Sequence, residues 1–183
     1  MKKNIFSLFT VLFAFSISLA QSDYTIQFQN ESTEIPENIN SFQWDQMPES
    51  SKLNNGYYGW IQFFETPNQD VQNLFKSNDL QLIEYIPNRT YLFYFPETTA
   101  ISTLRANGVR AIVPVPGAFK LSSELKSPPY PEYAVQGDQI FVTLQYHKNV
   151  NSQFVINDLV NQQIAIRQEY KGANTIELSI PNN

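Results

Sequence analysis

Two runs of strand-favouring apolar residues occupy positions 80–95, and a short break at Pro87, Asn88 and Arg89 separates them. Valine, isoleucine, tyrosine and phenylalanine favour a pleated, half-buried backbone. Proline cannot donate a hydrogen bond to a strand ladder, and asparagine tolerates turn geometry. The pattern therefore predicts a β-hairpin, around which the rest of the chain can be ordered.

A strand and a helix are predicted before this hairpin. Residues 59–65 are rich in aromatic and aliphatic side chains, which is typical of a strand. Thr66 and Pro67 then favour the start of a helix, because threonine caps helices and proline suits the first turn. The apolar stripe of that helix is predicted at Val71, Leu74 and Phe75.

A second helix and a last strand are predicted after the hairpin. The helix should begin after Pro96, with Thr98 or Thr99 as its cap, and Gly108 stands where a left-handed residue ends a helix. Residues 109–115 then have the pattern of a strand. The apolar stripe of this helix is predicted at Ile101 and Leu104.

The resulting order, β-α-β-β-α-β, predicts an α+β fold of the ferredoxin-like type, in which two helices cover one face of a four-stranded antiparallel sheet. We place this first unit at residues 56–116. Its core is predicted to include Ile61, Val71, Leu74, Phe75, Leu82, Leu104 and Val113.

A second, incomplete copy is predicted at residues 139–183, after a Pro- and Ser-rich linker at 117–138. A strand, a helix capped by Asn151 or Ser152, and a hairpin recur there in the same order. The final helix and strand have no counterpart, which indicates a truncated unit or a fragment. We therefore expect this copy to be marginally stable, sensitive to proteases and prone to strand pairing between molecules. The apolar stripe of its helix is predicted at Ile156, Leu159 and Val160.

The first sheet is predicted to be apolar on both faces, although two helices can cover only one of them. A large apolar second face suggests a partner. The candidate docking face consists of Trp60, Phe64, Leu92 and Tyr94. The alternative is that the polar N-terminal segment, residues 21–55, covers this face.

The first twenty residues have the features of a secretory signal peptide. Two lysines precede a short apolar run, and small residues stand at Ser18 and Ala20. Cleavage is expected between Ala20 and Gln21, which would place the protein outside the cytoplasm, either secreted or in the periplasm or cell envelope. The run is short for a membrane anchor, and we expect no stable membrane span.

Composition limits the chemistry that the chain can perform. A net charge of -5 gives no indication of a nucleic-acid surface, and the absence of cysteine excludes disulfides, thiolate metal sites and a cysteine nucleophile. The single histidine, His147, is predicted to lie in a surface loop and not to act as a base. No nucleophile elbow or phosphate-binding loop accompanies it. We expect no catalytic set and no cofactor, so that function would reside in surfaces.

Three runs resemble the N-terminal region of large secreted subtilisin-like serine proteases, especially those of Bacteroidetes-type bacteria. They are LIEYIPNRTYL at 82–92, LRANGVR at 104–110 and FKLSSEL at 119–125. The resemblance spans roughly Gly59 to Ile180. It implies a ferredoxin-like propeptide or accessory region that precedes the catalytic domain, assists its folding and inhibits it.

The Asp, His and Ser motifs of the catalytic domain of this family are absent from the sequence, so no catalytic residue carries over. The first interpretation is a propeptide-like region that binds a subtilisin-like catalytic domain in cis or in trans. A stand-alone secreted protease inhibitor or chaperone is the second, and a cell-envelope protein-binding module is the third.

Overall fold

The computed structural model describes residues 24–28 and 32–182, and the chain divides into two compact units between Val115 and Pro116. Both units combine antiparallel sheets with few helices. The predicted signal peptide and its cleavage site at Ala20 and Gln21 lie outside the described residues.

The first unit consists of an antiparallel sheet with two helices packed on one of its faces. Its sheet has the order β5-β6-β4-β7, all antiparallel, and β3 pairs with the start of β4. A separate hairpin is formed by β1 and β2. The elements are β1 (Thr25–Gln27), β2 (Ser32–Glu34), β3 (Lys52–Leu53), β4 (Gly56–Phe63), α1 (Gln69–Ser77), β5 (Gln81–Ile86), β6 (Thr90–Pro96), α2 (Ile101–Ala106) and β7 (Val109–Val113).

The predicted hairpin at 80–95 is confirmed as β5 and β6, but the predicted helix starts are wrong in detail. The side chain of Asn68 caps α1 by accepting a hydrogen bond from the backbone N–H of Val71 at 3.0 Å, so Thr66 lies outside the helix. The residue that precedes α2 is Ala100, which makes no side-chain cap bond. Neither predicted threonine therefore caps α2.

The core of the first unit lies between the helices and one face of the sheet. Ile61, Phe75 and Leu104 are fully or almost fully buried there, which confirms three of the predicted core positions. Val71 and Leu82 pack against this cluster, and Val113 is half-buried.

Leu74 was wrongly assigned to the core, because its side chain is 41% exposed. Val71 and Phe75 are four residues apart and share one line along α1. Leu74 is displaced from Phe75 by one residue, or about 100° around the helix axis. The side of α1 that carries Val71 and Phe75 therefore packs against the sheet, and Leu74 faces away from the sheet.

The second unit has the sheet order β10-β11-β9-β8, also antiparallel. Its fully buried cluster is small and consists of Leu159, Ile176 and Leu178. Ile156 packs against this cluster, but Val160 is 60% exposed and was wrongly assigned to the apolar stripe. The segment predicted as a linker contains the first strand and three short 3-10 helices. The elements are β8 (Val135–Gln136), β9 (Gln139–Gln145), α3 (Ser152–Asn161), β10 (Ala165–Tyr170) and β11 (Thr175–Pro181). The expected marginal stability of this unit stays a prediction.

Elements β8 to β11 repeat the order and pairing of β3 to β6. Asn151 caps α3 through its side chain, as Asn68 caps α1. Both β5 and β10 have a register irregularity two residues into the strand. Arg89 and Asn174, which directly precede β6 and β11, both have positive φ. Equivalent positions can therefore be compared between the units, with β4 corresponding to β9.

Replacing Leu104 by alanine should lower the free energy of unfolding of the first unit by about 2–5 kcal/mol, because the side chain is fully buried. Leu74→Ala is the matched control and should cost less than about 1 kcal/mol. Both tryptophans lie in the first unit, so a guanidinium titration followed by tryptophan fluorescence reports on this unit alone. Equal losses for the two variants would contradict the orientation of the helices.

Candidate functional site

The N-terminal segment covers much of the sheet face opposite α1 and α2. Trp60 points to this face, because its neighbour Ile61 belongs to the helix-side core. The ring of Phe28 stacks on Trp60 with 5.6 Å between the ring centroids. Trp60 is 4% exposed and Leu92, its cross-strand partner, is 6% exposed. The expectation of an open docking face is therefore wrong for these two residues, and the alternative of an N-terminal cover holds for them.

The other two predicted docking residues lie at the ends of this face. Phe64 follows β4 and is 39% exposed. Tyr94 is half-buried, its ring lies 4.9 Å from that of Tyr58, and its hydroxyl donates to the carbonyl oxygen of Asn54 at 3.0 Å. A side chain at position 56 would clash with the Tyr94 ring, because a Cβ atom on Gly56 would lie 2.6 Å from that ring. Phe64 is thus the most exposed member of the predicted face.

A buried polar cluster holds the N-terminal segment against the sheet. The side-chain amide of Gln62 donates to the carbonyl oxygen of Tyr24 at 2.9 Å and to the hydroxyl of Thr90 at 3.1 Å. Its oxygen accepts from the Arg110 guanidinium at 2.8 Å, and Arg110 also donates to the carbonyl oxygen of Ile35 at 2.7 Å. The guanidinium carbon lies 3.9 Å from the centroid of the Tyr24 ring.

The polar groups of this cluster satisfy one another's hydrogen bonds. Its buried donors and acceptors are matched, and a guanidinium stays protonated at all ordinary pH values. The arrangement joins β4, β6 and β7 to the N-terminal hairpin. No local sequence pattern indicates this cluster, because Tyr24 and Arg110 are far apart along the chain.

Asn38 closes the outer edge of β7 and thereby completes the cover. Its side-chain amide donates to the carbonyl oxygen of Ile112 at 2.7 Å and accepts from the backbone N–H of Ile112 at 2.9 Å. The backbone N–H groups of Asn38 and Ile39 donate to the carbonyl oxygen of Arg110 at 3.3 and 3.2 Å. These contacts take the place of another strand and protect the edge from intermolecular pairing.

The same N-terminal segment then continues on the helix side. The indole of Trp44 stacks on Tyr57 with centroids 5.4 Å apart and donates to the carbonyl oxygen of Thr99 at 2.7 Å. The side chain of Met47 packs against Gly59. A larger residue would not fit at position 59, because a Cβ atom there would lie 2.7 Å from the carbonyl oxygen of Val113. Residues 24–28 and 32–55 therefore pack as part of the first unit and are not a separate segment.

An open depression of about 600 Å³ lies beside the β3–β4 turn. At its margin, the carboxylate of Glu97 pairs with Lys52 at 2.7 Å, and this partner raises the pKa of the Lys52 amine. We assign no ligand to the depression, whose rim is largely exposed. Its lining consists of Asn54, Asn55, Asp79, Gln81, Tyr94, Pro96, Glu97 and Thr98.

The second sheet has an outer face of a different kind. Phe141 and Glu177 point away from α3, since their neighbours Val142 and Leu178 pack against the helix. Arg167 lies over the Phe141 ring at 3.9 Å and pairs with Glu177 at 2.8 Å. An aromatic ring framed by charged groups is thus presented on an antiparallel sheet.

The structure places His147 on an exposed stretch after β9. Within residues 24–28 and 32–182, no group of three His, Asp or Glu side chains is arranged to hold a metal ion. In the same part of the chain, no helix is long and apolar enough to cross a membrane.

These observations define a mixed α/β protein with antiparallel sheets and few helices. Residues 25–116 match the model of a family described as Domain of unknown function (DUF8729), and the chain belongs to this family. The match begins at β1 and ends where the first unit ends, so it includes the N-terminal cover. The chain matches no curated protein and no solved structure.

Replacing Arg110 by alanine should destabilise the first unit by about 2–3 kcal/mol, because it leaves buried oxygens of Gln62 and Ile35 without their charged donor. Arg105→Ala is the control, since Arg105 is exposed and donates to the carbonyl oxygen of Ile39 at its surface. The measurement is again the tryptophan-detected titration. A loss from Arg110→Ala no larger than that of the control would show that the cluster does not hold the cover in place.

Proposed function

We propose that the chain is the non-catalytic, propeptide-like region of a secreted subtilisin-like serine protease, and that both units are ferredoxin-like. The supporting observation is the sheet order β5-β6-β4-β7 with α1 and α2 packed on one face, which is the arrangement of a β-α-β-β-α-β unit. The described residues of the second unit supply the β-α-β-β part of this arrangement, from β9 to β11. The resemblance of residues 59–180 to such regions suggests the protease setting.

In this proposal the chain acts by binding and not by chemistry. Its partner is a subtilisin-like catalytic domain, attached in cis or supplied in trans, whose folding it assists and whose activity it inhibits. The outer face of the second sheet is the best candidate for this contact, because Phe141 offers a partly exposed aromatic anchor beside the Arg167–Glu177 pair. An export signal at residues 1–20 would deliver the protein to the cell envelope or beyond it.

The nucleotide sequence that follows the codon of Asn183 provides the first test. We expect the frame to continue into glycine-rich motifs that contain the Asp, His and Ser of a subtilase, or a subtilase gene to stand beside it. A continued frame supports action in cis, and a stop codon beside a subtilase gene supports a stand-alone inhibitor. A genomic setting without any subtilase would contradict the proposal and favour an envelope binding module.

The second test measures inhibition directly. The purified chain should slow hydrolysis of a fluorogenic peptide by that subtilase, and Phe141→Ser should weaken inhibition about tenfold, as loss of a central aromatic anchor does. Phe154→Ser is the matched control, because Phe154 is 50% exposed but belongs to α3, on the other side of the sheet. Equal effects of the two substitutions would remove the outer face from the proposal, and absence of inhibition by the unmodified chain would remove inhibition itself.

A further inference from the structure

We draw no further inference here: the strongest candidate, the edge of β9 that extends beyond its pairing with β8 in the second unit, carries none because nothing in the structure shows what covers it.

Discussion

A sheet with apolar side chains on both faces has to be covered on both, and the first unit meets this requirement with a single N-terminal segment. The segment lies against Trp60 on one face, crosses the sheet edge at Asn38 and continues against Tyr57 on the helix side. The core, the protected edge and the buried polar cluster all depend on this path. The family match covers residues 25–116 and so includes this N-terminal segment, as expected if the segment is an integral part of the domain.

The buried cluster of Gln62 and Arg110 fixes the path because it is costly to leave unpaired. A guanidinium and a primary amide that are removed from water require partners, and the N-terminal hairpin supplies carbonyl oxygens and the Tyr24 ring. The hairpin thus docks at one place and in one register. Hydrophobic contact alone would define its position less sharply, because it is not directional.

The second unit covers the apolar side chains of its sheet in a different way. Its strands alternate apolar and polar residues, so one helix layer suffices and the outer face stays in contact with water. The two units therefore contribute differently to the proposed binding role: the first is covered by its own N-terminal segment, and the second presents a face around Phe141.

The sequence by itself determined the longer elements of both units, including the β5–β6 hairpin, α1, α2, β7, β9, α3, β10 and β11, but not the short strands β2, β3 and β8. The longer elements depend on side-chain periodicity and turn residues within a few positions of each other, which the linear order displays directly. The sequence could not determine that Leu74 faces outward on α1, because packing against the sheet decides which side of a short helix is buried. Nor could it decide between a docking face and a cover over Trp60. That outcome depends on contacts of Phe28, Asn38 and Arg110 with residues far away in the chain, and only the tertiary structure brings these together.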